Sequence, residues 1–376
     1  MPLTASPLEP TLRLALVPGI GPTRLAALLA RFGTAEGVLR APAAEVARLP
    51  GFGAGLARRV AAAAGAEGGA RAREAMRTLA DAGAVALTRD DDGYPQRIRE
   101  LHDPPVVLYL RGDPALLGHP GMGVVGTRTP TPYGRAAAEG LAGELTRAGY
   151  AIVSGMARGI DAAAHAAALG VGGATIGVLG HGIDRVYPAE NRQLFRRVAQ
   201  RGLLLSELPP GEEPLAGNFP RRNRLIAALS AGVLVVEMGE RSGARHTVDY
   251  ALELGREVFA VPGPIGSPAS AGTNQLLKEG ARLVTSARDV LEELHGVGNA
   301  DAPPPLPSSA PPPSPPAPDL PEEEARVLAA LGLEPRHVDE LAAAVSLPTS
   351  RVLAALLGLE LAGLVSALPG KLFRVG

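Results

Sequence analysis

Arginine, glycine and serine recur in five short clusters between residues 126 and 245. Small residues let a backbone approach a ligand closely, helix N-termini present N–H donors, and arginine binds phosphate through two donors. Several adjacent anion-binding loops suit successive phosphates along a strand, so the pattern indicates nucleic-acid binding rather than covalent catalysis. The predicted DNA-binding residues are Gly126, Thr127, Arg128, Ser154, Gly155, Arg158, Gly180, Gly182, Asn191, Arg192, Arg222, Asn223, Arg224, Ser242, Gly243 and Arg245.

Three aromatic residues accompany these clusters. Tyr133, Tyr187 and Phe219 could offer stacking faces to unpaired bases. Taken singly, each is better interpreted as a core residue, because large aromatic side chains are mostly buried. The sequence therefore predicts a groove that tracks the backbone of an unpaired strand, with stacking as an addition.

Acidic and histidine residues leave an enzymatic alternative open. A Rossmann-type nucleotide-processing hydrolase, similar to the phosphoribohydrolases, needs a general acid, a general base or a metal site. The residues that could supply these groups are Asp161, His165, His181, Glu207 and Glu237. Asp161 and His165 lie four apart, but a helix N-terminal acid and a helix-packing histidine are the more ordinary interpretation. We expect a protein that is not an enzyme.

Nucleotide-binding motifs are weak in this chain. Gly121, Gly123 and Gly126 have the spacing of a dinucleotide fingerprint, but they straddle a predicted strand instead of following it. The chain has no Walker A motif, since neither Lys278 nor Lys371 stands in that context. It also has no cysteine, which excludes thiolate chemistry and cysteine-based metal sites. We expect no bound cofactor and no metal.

The elements that must position the loops form an α/β core. Short apolar runs over residues 123–125, 151–153, 175–179, 203–205, 233–236 and 257–261 alternate with Ala-rich helical stretches. This alternation predicts a doubly wound, Rossmann-like parallel sheet over residues 76–298. Ligands bind beyond the carboxyl ends of such strands, where the predicted site residues lie.

Residues 1–75 carry a repeated pattern, VPGIG at residues 17–21 and LPGFG at residues 49–53. It resembles the tandem helix-hairpin-helix motif of a SAM-like helical domain, which grips phosphates without reading sequence. Nine arginines against five glutamates make this segment basic. DNA contact and a purely structural role both remain open. The residues that would make that contact are Gly19, Gly21, Arg24, Gly51, Gly53 and Arg58.

A proline-rich segment over residues 299–318 predicts an extended linker that spans up to ~60 Å. Beyond it, residues 319–376 predict a winged helix, with helices over 322–331, 337–345 and 349–361 followed by a hairpin. Eight acidic against five basic residues argue against duplex reading, because phosphate binding requires cations. Protein binding or weak DNA binding is favoured, and a duplex-specific regulator remains a further alternative.

The chain shows no signal-peptide pattern at its start and no apolar run approaching the roughly 18 residues of a membrane span. We therefore expect a cytoplasmic protein without membrane association. A reducing compartment is consistent with the lack of cysteine.

Linked motifs between about residues 85 and 285 closely resemble the DprA/Smf family. They include VVGTR, IVSGMARGIDAAAH, TIGVLGHGIDRVYPAEN, LLSELPPG, FPRRNRLIAALS and VLVVEMGERSGARHTVDYALELGREVFAVPG. The resemblance implies single-strand DNA binding, loading of the RecA recombinase, and protection of incoming DNA during natural transformation or repair. It also implies a homodimer, and single-strand-binding proteins are further candidate partners.

The family's G-[ST/A]-R motif falls on Gly126, Thr127 and Arg128, and its RNR motif falls on Arg222 to Arg224. The resemblance implies that Arg128 contacts DNA. At Ala189 the chain departs from relatives that carry a basic residue, which puts one phosphate contact in doubt. Arg192 is the candidate replacement.

Overall fold

The computed structural model describes residues 8–295, 321–331, 336–361, 364–368 and 370–375. Its contacts divide the chain into a larger unit, Met1–Ser309, and a smaller unit, Ala310–Gly376. The division falls within the predicted linker, whose residues 299–318 lie outside the described ones. Each unit is therefore described by itself.

The described residues of the larger unit build a nine-stranded sheet in the order β1-β2-β6-β5-β4-β3-β7-β8-β9. The seven strands β6-β5-β4-β3-β7-β8-β9 are parallel to one another. At the edge of this parallel sheet, β2 pairs antiparallel with β6, and β1 pairs antiparallel with β2. The strands are β1 (Ala84–Thr88), β2 (Val107–Gly112), β3 (Gly121–Val125), β4 (Ala151–Ser154), β5 (Thr175–Leu179), β6 (Leu203–Ser206), β7 (Ser230–Val235), β8 (Glu257–Ala260) and β9 (Arg282–Leu283). The predicted doubly wound parallel core is confirmed.

Helices connect and cover these strands. They are α1 (Leu8–Ala15), α2 (Pro22–Phe32), α3 (Ala35–Arg40), α4 (Ala43–Val46), α5 (Ala54–Ala62), α6 (Ala66–Asp81), α7 (Gln96–Arg99), α8 (Pro132–Arg147), α9 (Ile160–Gly170), α10 (Arg192–Arg201), α11 (Asn218–Leu229), α12 (Ala244–Glu253), α13 (Ala271–Lys278) and α14 (Ala287–His295). Short 3₁₀ helices span Pro114–Gly118, Ala189–Asn191 and Pro268–Ser270.

The parallel strands are apolar on both faces because helices cover both sides of the sheet. Every residue of β3 and β5 is buried. One face packs against α11 and α12, and the other packs against α8, α9 and α14. The strand order reverses between β3 and β7, which makes the carboxyl ends of β3, β4 and β7 the expected ligand crevice.

The first six helices pack as a cluster that shares its core with β1, β2 and β6. This confirms the predicted helical domain with its two hairpins. The boundary predicted after residue 75 lies inside α6 (Ala66–Asp81). The helix continues past that point because Ala72, Ala75 and Leu79 keep apolar side chains buried along one face. Helix α6 thus packs in the helical cluster and also leads directly into β1.

In the smaller unit, the described elements are α15 (Glu322–Ala330), β10 (Arg336–His337), α16 (Val338–Val345), α17 (Thr349–Leu361), β11 (Val365–Leu368) and β12 (Leu372–Val375). The strands pair in the order β10-β12-β11, and the helices enclose an apolar core. This is the predicted winged helix. Among the described helices, none alone is long and apolar enough to cross a membrane; α16 and α17, bent by 106°, pass that test only as a pair.

Candidate nucleic-acid interface

A groove with a volume of ≈ 600 Å³ lies at the carboxyl ends of β3, β4 and β7. We call it the strand-end groove. The loop after β3, the start of α11 and the loop before α12 form its walls, as the sheet topology predicts. The predicted site residues that line it are Gly126, Thr127, Arg128, Arg222, Asn223, Ser242 and Gly243.

Two exposed arginines give the strand-end groove its positive charge. Arg128 follows β3, and Arg241 stands in the loop between β7 and α12. Among the described residues, neither guanidinium forms an ion pair, so both remain available for an anionic ligand. Arg241 was not predicted, although it directly precedes Ser242, which was.

Arg245 does not line the strand-end groove. Its guanidinium binds Asp249 at 3.0 Å and Glu279 at 2.8 Å. One helical turn separates Arg245 from Asp249 on α12, so the pair forms along the helix surface. The arginine of this loop that lines the groove without an ion pair is therefore Arg241 rather than Arg245.

An aromatic pair stands at one side of the strand-end groove. The rings of Tyr187 and Phe219 lie 5.4 Å apart, and the Arg128 guanidinium lies 5.9 Å from the Phe219 centroid. Tyr187 is 41% exposed, so its interpretation as a core residue is wrong. Tyr133 is also exposed, but its hydroxyl donates to Pro262 O outside this groove. A small adjoining pocket is lined by Gly155, Arg158 and both aromatic residues.

Arg222 is buried beneath the groove and pins two strand ends together. Its guanidinium donates to Gly155 O at 2.8 Å, after β4, and to Val178 O in β5. Asp161 lies beside it and accepts N–H bonds from Gly155 at 3.0 Å and Ala157 at 3.4 Å. Burial raises the pKa of the Asp161 carboxyl, and the charge of Arg222 opposes that rise. Burial likewise lowers the pKa of Arg222 to about 10. We call these two residues the buried clamp.

Glycine is required where the strand-end loops touch. Gly155 faces the buried clamp so closely that a Cβ there would lie 2.8 Å from the Asp161 carboxylate. Gly159 has a φ of +78°, which only glycine adopts readily, and Ile160 N then donates to Thr127 O at 3.2 Å. Thr127 N in turn donates to Glu237 O at 2.8 Å. The loops after β3, β4 and β7 therefore form one bonded assembly.

Arg224 points away from the strand-end groove, against its predicted DNA contact. It is 3% exposed, and its guanidinium lies 2.5 Å from Glu207 and 3.5 Å from Asp103. Arg221, one helical turn earlier, reaches Glu207 at 3.3 Å. Burial raises the pKa of Glu207, while Arg224 and Arg221 oppose that rise. The residues of the RNR motif therefore have different roles. Asn223 lines the groove, whereas Arg224 joins α11 to Glu207 and Asp103.

Other predicted residues position loops instead of lining the groove. Ser154 donates its hydroxyl to Val124 O at 2.6 Å and is fully buried. Gly180 and Gly182 are buried, and Gly180 leaves space for the Phe219 ring. Arg158 is exposed near Glu190 at 3.4 Å, and Arg192 is exposed at the start of α10, outside the groove lining.

Asn191 holds the loop that contains Met156, whose φ of +57° is unusual for a residue with a side chain. The side-chain amide of Asn191 donates to Met156 O at 2.9 Å and to Ala157 O at 3.0 Å. We expect Asn191→Ala to destabilise the larger unit by about 1–3 kcal/mol, since two carbonyls lose their donor. Urea unfolding followed by circular dichroism measures this. Arg192→Ala is the neighbouring control and should change the free energy of unfolding by less than about 0.5 kcal/mol.

The hairpin residues of the helical cluster adopt the predicted turns. Gly19 and Gly51 have φ values of +90° and +78°. Arg24 donates to Gly19 O at 2.7 Å, and Arg59 donates to Pro18 O at 3.1 Å, so both cations stabilise the first turn. Arg58 is exposed, as are Gly21 and Gly53. DNA contact by these hairpins stays a prediction.

The residues of the hydrolase alternative are engaged in packing and hydrogen bonds. His165 is fully buried with Nδ1 2.6 Å from Thr175 Oγ1, and its pKa is lowered by burial to about 3. Glu237 accepts from Thr131 N at 2.8 Å and Thr131 Oγ1 at 2.6 Å. His181 is buried with Nδ1 3.0 Å from Gly182 O. Among the described residues, no group of His, Asp and Glu could hold a metal ion.

The fold and the groove together define an α/β protein with an arginine-lined groove at a topological switch point. A helix-hairpin-helix domain precedes the α/β core in the sequence, and a winged helix follows it. The family model described as DNA recombination-mediator protein A matches residues 85–295. The models of the DprA winged helix domain and the SAM-like helix-hairpin-helix tandem match residues 311–371 and 12–66. The chain belongs to the DNA recombination-mediator protein A family, also called DprA/Smf, as the motifs predicted.

Relatives agree over most of the chain. Protein Smf of Synechocystis sp. is 36% identical over 95% of this chain and 96% of its own. DNA processing protein A of Streptococcus pneumoniae has a solved structure that is 36% identical and has a TM-score of 0.64, covering 75% of this chain and 95% of its own. The structure of the Helicobacter pylori protein is 34% identical with a TM-score of 0.52, covering 56% and 95%.

Proposed function

We propose that the strand-end groove binds single-stranded DNA and that the protein acts by holding that DNA rather than by covalent chemistry. The observation that carries the proposal is the combination of two unpaired exposed arginines, Arg128 and Arg241, with the Tyr187–Phe219 pair in one groove. Arginines track phosphates, and aromatic faces stack on unpaired bases of any sequence. Sequence preference should therefore be slight.

The relatives support this proposal. The Helicobacter pylori protein binds single-stranded DNA, and the family is described as recombination mediators. For this chain, the corresponding role is to protect incoming single strands and deliver them to recombination during natural transformation or repair. The hydrolase alternative is less well supported because Asp161, Glu207 and Glu237 are occupied by structural hydrogen bonds or arginine charges.

Arg128→Ala tests the groove. We expect the affinity for a fluorescently labelled oligothymidine to fall about tenfold. The slope of log affinity against log salt concentration should decrease by about 0.7, because one phosphate contact is lost. Fluorescence anisotropy over several salt concentrations, without ATP, measures both. Arg245→Ala removes an equally charged residue from outside the groove lining and should bind as wild type.

Two outcomes would contradict the groove assignment. One is binding of single-stranded DNA by Arg128→Ala with unchanged affinity and salt slope. The other is a wild-type preference for duplex DNA that disappears when residues 319–376 are removed, which would favour the duplex-specific alternative. Loss of binding by Arg245→Ala alone would move the site toward α12.

RecA, single-strand-binding proteins and a second copy of the chain are proposed partners on the strength of the family assignment. A homodimer would place two strand-end grooves in one assembly and hold adjacent DNA segments. Stimulation of RecA strand exchange on strands covered by single-strand-binding protein tests the first two partners. Sedimentation at micromolar concentration tests the third, and a strict monomer would remove it.

A further inference from the structure

The third helix of the winged-helix unit, α17, forms a helix-turn-helix with α16 and carries an apolar stripe on its outer surface. Leu353 is 40% exposed and Leu357 is 59% exposed, one helical turn apart, and Ala354 is exposed between them. On the opposite side, Val352, Leu356 and Leu359 are fully buried in the unit's core. The two exposed leucines are therefore additional to those that the fold needs.

In DNA-binding winged helices this helix enters the major groove and needs cations near phosphates. Here the three arginines of the unit whose side chains are described, Arg326, Arg336 and Arg351, all have partners. Arg351 binds Glu323 at 2.7 Å, Arg326 donates to Val345 O at 2.5 Å, and Arg336 donates to Ala330 O at 3.0 Å. The sequence of α17 thus supplies one cation, Arg351, and it is paired with Glu323, which disfavours phosphate binding by this helix.

Two carboxylates lie beside the apolar stripe, and others are exposed elsewhere on the smaller unit. Glu360 is exposed one turn beyond Leu357, and the Glu324 carboxylate of α15 lies against Gly358, where an added Cβ would collide with it. Asp339 and Glu340 are exposed on α16, the other helix of the motif. The surface therefore combines two exposed leucines with negative charge.

We propose that this face of α17 docks a cationic amphipathic helix of a partner protein. Helical partners bind through apolar anchors spaced three or four residues apart, which matches the spacing of Leu353 and Leu357. Arginine and lysine on the partner would complement the acidic border, accelerate association and exclude acidic partners. The proposal is independent of DNA binding by the strand-end groove, because it rests on residues of the smaller unit alone.

A peptide binding experiment on the full chain tests this proposal. The probe is a fluorescent synthetic helix of about 18 residues, with leucines on one face and arginines on the other. We expect Leu353→Ser/Leu357→Ser to weaken the peptide affinity about tenfold or more, since apolar anchors at the centre of an interface dominate binding. Leu252→Ser, which removes a 59% exposed leucine from α12 of the larger unit, is the matched control and should bind as wild type.

The charge and shape requirements are tested separately. Glu360→Gln should weaken the peptide affinity a few-fold at low salt, and added salt should remove that difference. A peptide of equal composition with its leucines spread around the helix should bind about tenfold more weakly. Because all these side chains are exposed, thermal unfolding should show every variant folded.

Three results would overturn the proposal. The first is unchanged peptide affinity in the double serine variant. The second is a short DNA duplex that competes with the peptide and binds more weakly when the leucines are replaced, which would make α17 a DNA-reading helix. The third is a fall in oligomeric state on sedimentation of the double variant, which would assign the stripe to a second copy of the chain.

Discussion

Arg222→Met is expected to destabilise the larger unit by about 3–5 kcal/mol, the usual cost of leaving a buried charge without a compensating one. The substitution leaves the Asp161 carboxylate buried without its cation, and it removes the donors to Gly155 O and Val178 O. Single-strand affinity should fall as well in the fraction that remains folded, because the strand-end loops lose the group that joins them. Urea unfolding followed by circular dichroism measures the first effect, and anisotropy at low temperature measures the second.

A double variant separates the charge from the packing. Arg222→Met/Asp161→Asn removes both charges and should lose less stability than the sum of the two single variants. Arg221→Met is the matched control on the same helix, since Arg221 is 38% exposed at its side chain and pairs with Glu207 at 3.3 Å. It should cost at most about 1 kcal/mol. Equal losses for Arg221 and Arg222 would show that the buried clamp has no special role.

The sequence was sufficient to predict the parallel core because its strands are buried on both faces. Such strands appear as continuous apolar runs, and all six predicted runs coincide with β3 to β8 within a few residues. The antiparallel strands β1 and β2 were not predicted, because they precede the strand and helix alternation that indicated the sheet. The short edge strand β9, two exposed residues, gives no apolar pattern at all.

The loops of the site could be predicted, but not the direction of each arginine. Strand ends identify the loops through topology, which the sequence supplies. The direction of Arg222 depends on Asp161, and the direction of Arg224 depends on Glu207. Both carboxylates come from other elements, so only the packing of the fold decides which arginine each one meets. Similarly, Asp249 and Glu279 bind Arg245, and Arg241 remains as the exposed cation of its loop. Charge count alone cannot make that distinction.

Acidification to about pH 5 is expected to remove about 2 kcal/mol of stability through His165 alone. The pKa of His165 is lowered by burial from its ordinary 6.5 to about 3 in the folded protein. Between those values the unfolded chain binds a proton that the folded chain does not, so stability falls as the pH falls below about 6.5. The contribution is fully present above that pH and is lost progressively toward pH 3.

The variant His165→Gln isolates this effect. It removes the titrating ring but keeps a polar group near Thr175, so it should lose about 2 kcal/mol less than wild type between about pH 7.5 and pH 5. His102→Gln, which removes an exposed histidine, should retain the pH dependence of wild type. Urea midpoints at both pH values measure the difference. If His165→Gln and wild type lose equal stability, then His165 becomes protonated within the folded core, and buried His181, whose pKa is also lowered by burial, would be the residue to replace next.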